Sequence, residues 1–465
     1  MSVSWIYFLP FTKSREPAHP CKLLCAFLLL LIIIIASIPF SAGEIKDIRI
    51  ADDPRHMILF ERFGFGPDGR VVVYIENVSY KSNRRHPSSP LDPSQMGFFL
   101  VRDSLFPRII RDHDHLCALS SNYVMQVFRF SDLSIGSTYN GTVAISDPDE
   151  YILVFGNCLP EYKVSMTVHT EMYNLQHYGI DRNFLPMGQT PLPLMYFLIF
   201  VTYCGLFITW LFVCLNNRPV VDKIHLLMGA LLILKALKSF CASEDLAYMA
   251  RTGTHHGWDV AFYVFGFLKG TMMFVVIALI GSGWSVLRPF LQDREKKVLM
   301  AIIPLQVLEN VAYIAVEEAG PAVRNPTWWN FVFLFIDLTC CFAVVFPVVW
   351  SIRALRESGG DRKACRSLDK LSLFKKFYMV VIGYLYFTRV VVLALGSLLG
   401  YRFEWLMALI AEGASLGFYG FVFWNFQPVE KSPYLMINGE SDDTKIEISP
   451  IYTLDGEYDD DHDEE

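Results

Sequence analysis

The chain has 465 residues, of which 53% are hydrophobic and 15% aromatic, with a mean hydropathy of +0.34 and a formal charge of −7. It is longer and oilier than one soluble domain requires, so a membrane protein is the first reading and no nucleic-acid partner is expected. The acidity is local: thirteen acids against Lys431 and Lys445 give the tail from Gln427 onward a charge of −11, which leaves +4 on the rest.

Residues 1–43 read as a signal peptide. Lys13, Arg15 and Lys22 precede the apolar run Leu23 to Ile38, and Ser41-Ala42-Gly43 supplies small residues for cleavage. The rival reading is an uncleaved anchor helix, for which that run is short.

Residues 44–185 form a block of ordinary domain size, with short β-rich runs broken by turn residues: HMILFERF, GRVVVYIENV, MGFFLVR, NYVMQVFRF, EYILVFGN and YKVSMTVHT. In the second run a turn at Asp68-Gly69 precedes Val71, Val73 and Ile75 on one face, the alternation of a half-buried strand. The expected fold is an N-terminal luminal antiparallel β-sandwich. The sequons at Asn77 and Asn140 both fall in this block, which makes them the expected N-glycosylation sites. Cys117 and Cys158 are its only cysteines, and in an oxidising lumen they are expected to pair, stabilising by roughly 2 to 4 kcal/mol. The stretch KSNRRHPSSPLDPSQ reads as a mobile insertion, and whether it is cleaved at Arg84-Arg85 is open. His113 and His115, alternating with Asp112 and Asp114, read as a solvated loop, and no metal or other cofactor is expected.

A proline-rich linker, 186–191, leads into a seven-transmembrane helix domain over 192–426. Its apolar segments are approximately 192–215, 224–243, 260–281, 297–316, 328–352, 374–399 and 405–426, each near the length that crosses a hydrocarbon core of roughly 30 Å. The connections 216–223, 288–297 and 353–376 carry fourteen Lys and Arg residues, whereas 241–259, 317–327 and 400–404 carry three. The first set is therefore cytoplasmic, which puts the N-terminus in the lumen and the acidic tail, 427–465, in the cytoplasm.

The spans carry ionisable residues: Lys235, Lys238, Lys269, Glu309, Asp337, Arg389 and Glu412. A charge at such depth costs at least roughly 2.5 to 3.5 kcal/mol, so each is expected to face polar groups or water. Two arrangements meet this need. In the first, the lysines line a polar cavity open toward the lumen; in the second, ion pairs lock helices together and Lys238 snorkels to the interface. Catalysis is not expected: a zinc hydrolase needs several histidines, and the spans offer only His225, at a helix start. A retinal Schiff base needs a lysine that the seventh span lacks.

The stretch YILVFGNCLPEYKVSMTVHTEMYNL, with LPMGQTPLPLMYF and the first span after it, resembles the lung seven-transmembrane receptor family, also called GOST proteins. The most specific parts are Asn157-Cys158 and the Leu-Pro-rich approach to the first span, and the sequence looks most like the land-plant branch of candidate G-protein-coupled receptors. The resemblance implies a luminal Golgi-dynamics (GOLD-like) domain on seven helices, residence in Golgi, trans-Golgi and endosomal membranes, and a part in sorting cargo. It also implies, for some relatives, signalling through a heterotrimeric G protein α subunit, with the plant branch linked to responses to microbes. Rhodopsin-like switches are poor here. Asp293-Arg294-Glu295 follows Pro289, the sixth span lacks a kinking proline, and the seventh ends in WNFQP.

In the tail, Tyr434 and Ile437 stand three apart, a tetrapeptide that can bind a cytoplasmic sorting adaptor as an extended strand. Two functions follow as expectations. One is trafficking, with luminal cargo or a ligand above, membrane lipids around the helices and adaptors below. The other is a receptor, resident also at the plasma membrane, that meets Gα through the eight basic residues of 353–376.

Overall fold

The computed structural model describes residues 45–82, 90–112, 117–133, 138–159, 161–176, 181–281, 377, 379–396 and 398–428, with single positions 332, 335, 336 and 339. The expected signal peptide, the Arg84-Arg85 and His113/His115 stretches, the fourth span, most of the fifth, the loop 353–376 and the tail from 429 lie outside these residues.

The N-terminal block is a two-sheet antiparallel sandwich. One sheet runs β1 (Ile45–Asp53), β8 (Tyr162–Gln176), β3 (Gly69–Ser82), β6 (Tyr139–Ile145), with β9 (Asp181–Asn183) also on β8. The other runs β2 (Met57–Gly64), β7 (Glu150–Asn157), β4 (Met96–Arg102), β5 (Val124–Arg129). The alternation in GRVVVYIENV places Val71, Val73 and Ile75 in the core between the sheets, with Val164 and Val168 from β8 beside them. Facing them, Phe98 stacks on Phe128 at 5.4 Å, and Phe128 on Tyr139 at 3.8 Å. MGFFLVR and EYILVFGN do not alternate because their sheet is covered on both faces. Helix α1 (Phe106–Asp112) and the turn Ala118–Ser120 bury Phe99, Val101 and Val154 on the outer side.

Three strands were not expected from sequence: β1, β6 and β9. Edge strands β1 and β6 are interrupted by charges or by Asn140-Gly141, and the edge position asks for less apolar pattern than the centre.

Four helices among the described residues are long and apolar enough to span a membrane. They are α2 (Leu192–Asn216), α3 (Lys223–Thr252), α4 (Trp258–Gly281) and α6 (Glu404–Asn425), the last continuing a short turn from Tyr401. Helix α5, over 379–396, contains a π-helical turn at Phe387–Val391, an irregularity that needs no proline. Helix α3 continues nine residues past its expected end at 243. CASEDLAYMART reads as a loop by polarity, yet its Ala, Glu, Leu, Met and Arg are strong helix formers. The resulting 30 residues are about 45 Å long, longer than the hydrocarbon core is thick, so the helix reaches the sandwich.

Candidate functional site

Two features connect distant parts of the chain: a charge pair inside the bundle and a joint between the sandwich and the helices. Lys235, midway along α3, is 2% exposed and its ammonium lies 2.6 Å from Glu412 Oε2 and 2.8 Å from Oε1 on α6. The Lys235 ammonium also lies 5.6 Å from the centre of the Tyr203 ring on α2, and Tyr203 meets Tyr419 edge-on at 5.9 Å. Among the described residues the buried Tyr203 hydroxyl has no hydrogen-bond partner. About one turn beyond Glu412 toward the C-terminal end of α6, the Tyr384 hydroxyl of α5 meets Ser415 Oγ at 3.2 Å.

Of the other candidate charges, Lys238 and Lys269 act on this pair. Lys238 projects its ammonium to 4.6 Å from the Phe262 ring on α4, its chain packed against Gly266, and Lys238 and Lys269 both act electrostatically on Glu412. The backbone of Arg389 lies in the π-helical turn, and its side chain is outside the described residues, as are Glu309 and Asp337. Tyr434 and Ile437 lie there too. Lys235 is thus enclosed and paired at its own depth. His225, the only histidine expected in a span, accepts from the Asp222 N–H and caps the start of α3.

The joint has two seams. In the first, the Ile45 N–H donates to the Gly253 carbonyl at 3.0 Å and the Phe184 N–H to Ala250 at 3.1 Å. Gly253 ends α3 at φ 74°, and a Cβ there would press on Ile45 and Phe184, so both conformation and packing require glycine. In the second, the Met187 N–H donates to the Gly64 carbonyl at 2.9 Å, and the Trp405 N–H of α6 to Gly188 at 3.1 Å. Gln189 Nε2 reaches Glu404 Oε1 at 3.1 Å, and the Tyr401 ring covers Gly64. The sandwich is therefore seated on α3 and α6, the two helices that share the charge pair.

Asn174 braces the second seam from within the sandwich, accepting from the Gly66 N–H at 2.8 Å and donating toward Gly64 and Leu185 carbonyls. Asn157 does similar work at the far end: it accepts from the Leu159 N–H and donates to the Tyr162 carbonyl, and this turn sets Cys158 beside Cys117. The two cysteines form a disulfide with Cα atoms 5.4 Å apart. Asn77 is exposed at a bulge in β3 with φ 57°, which asparagine tolerates better than most residues, and Asn140 is exposed on edge strand β6.

Sequence reasoning missed the glycines and backbone donors of the joint. Their only signal was Leu-Pro-rich spacing before the first span. It also missed Tyr203 and Ser415, which look like ordinary span residues.

An N-terminal β-sandwich keyed into membrane helices defines a class of receptor-like membrane proteins, and the comparisons agree with it. The GOST seven-transmembrane domain matches residues 191–410, and the CAND6/7 N-terminal domain matches residues 46–174. The chain is 39% identical over 414 residues to the Arabidopsis thaliana protein named candidate G-protein coupled receptor 6, covering 88% of this chain and 95% of that one. The chain belongs to the GOST seven-transmembrane family.

Proposed function

We propose that the protein is a multipass Golgi and endosomal membrane protein that sorts luminal cargo, with its N-terminal sandwich in the lumen and its acidic tail in the cytoplasm. The observation that carries this reading is the path of α6. Its luminal end is hydrogen-bonded to the segment leaving the sandwich, through Trp405 and Gly188, and its other end leads toward the tail that holds Tyr434 and Ile437. Cargo held by the sandwich is thereby connected to an adaptor-binding segment through one helix. Glycans at Asn77 and Asn140 would project from exposed positions of the sandwich, away from its core. The domain limits 44–185, 186–191 and 192–426 belong to the same proposal, as does the role of Lys235 and Glu412 as a lock between α3 and α6 in place of a ligand cavity at that depth.

The test is replacement of Tyr434 with Ala in cells. A shift of the protein toward the cell surface is expected; an unchanged distribution removes the tail motif from the sorting reading. A second reading, reception of a luminal or extracellular ligand with coupling to Gα, is favoured by the printed name of the Arabidopsis relative and by the eight basic residues of 353–376. It predicts capture of Gα by the intact protein, abolished when those basic residues are neutralised.

A further inference from the structure

The first seam of the joint is bordered, on the sandwich side, by a histidine held between two carboxylates. His169, on β8, has Nδ1 2.7 Å from Asp47 Oδ1 on edge strand β1 and Nε2 3.2 Å from Glu171 Oε1 on its own strand. A neutral imidazole carries one N–H and can donate to only one of these carboxylates, whereas the imidazolium donates to both. Asp47 stands two residues from Ile45, whose N–H and side chain meet Gly253 at the end of α3. We propose that His169 is a proton-operated clasp on β1: protonation fixes this edge strand and, through it, the seating of the sandwich on α3.

The charged neighbours come from four strands. Asp47 and, two residues along, Arg49 belong to β1; Glu171 belongs to β8; and Arg182 of β9 lies 3.8 Å from Glu171. On β3, Tyr74 stands opposite His169 and donates to Glu76. Partial burial disfavours the charged ring, but the hydrogen bonds to Asp47 and Glu171, and their charges, outweigh it and hold the His169 pKa above the ordinary histidine value. A pKa raised on folding means the contribution is complete below about pH 6.5 and is lost as pH rises through the higher folded value. The clasp therefore tightens in an acidic compartment and loosens toward neutral or alkaline pH. Across the seam, His255 pairs with Asp245 at 2.8 Å, so a test must separate the two histidines.

Hydrogen exchange of the full chain in lipid nanodiscs, corrected for intrinsic rates, reads the clasp at the Ile45 amide. Between about pH 5.5 and about pH 8, protection of that amide should fall about three- to tenfold, while the Met187 and Trp405 amides of the second seam should hold steady. His169→Gln should flatten the Ile45 response. Asp47→Ala, which removes the bridge to β1 and leaves the ring in place, should do the same from an exposed position that does not endanger folding. An Ile45 response that persists in both variants, or is missing from the unaltered chain, overturns the proposal.

Discussion

Lys235 is the residue whose environment most constrains the protein. An ammonium buried among apolar side chains survives only with its counter-charge, and removing one member of such a pair leaves the other uncompensated, at roughly 3 to 5 kcal/mol. Lys235→Ala and Glu412→Ala should therefore each lower the unfolding midpoint sharply in detergent. The double variant Lys235→Met with Glu412→Leu should recover much of the loss, because two apolar side chains need no partner. Single variants that unfold like the parent would mean that the ion pair does not hold α3 to α6. The sequence exposes both residues as charges in apolar runs. It does not show that they meet, since 177 positions separate them and several other intramembrane charges compete for each. The cysteines were different. With only one pair in the N-terminal block, residue type and the expectation of an oxidising lumen sufficed to anticipate the disulfide that the structure contains.

At the scale of elements, legibility followed periodicity. Six strands could be read from alternating or continuous apolar runs, whereas β1, β6 and β9 could not, because edge strands are defined by the neighbour they pair with more than by their own composition. The extension of α3 past residue 243 was hidden for a related reason: helix propensity and polarity point opposite ways in CASEDLAYMART, and contact with the sandwich decides in favour of helix. That extension ends at Gly253, where a left-handed φ and close contact with Ile45 and Phe184 coincide. Gly253→Ala should cost roughly 1 to 3 kcal/mol from the backbone conformation alone, read by denaturant unfolding of the purified chain. It should also loosen the first seam while sparing the second, so limited proteolysis should newly cut the chain just after Gly253, within 254–257. A variant as stable and as resistant as the parent would show that the seam tolerates a side chain.

For the whole molecule, the arrangement makes the N-terminal sandwich, α3, α6 and the charge pair one connected unit, with the tail following α6 in the chain. Family membership was legible from Asn157-Cys158 and the approach to the first span, whereas orientation is an expectation that rests on loop charge, signal and sequons together. Function was less legible, because sorting and signalling place similar demands on a seven-helix protein: a luminal domain that binds, helices that connect, and a cytoplasmic surface that is read. Compartment separates them. The most direct measurement is imaging of the full-length protein, tagged within 353–376 so that both termini stay free, against Golgi, endosome and plasma-membrane markers. Concentration in Golgi and endosomes is the predicted result; residence mainly at the cell surface would contradict the sorting function and favour a receptor.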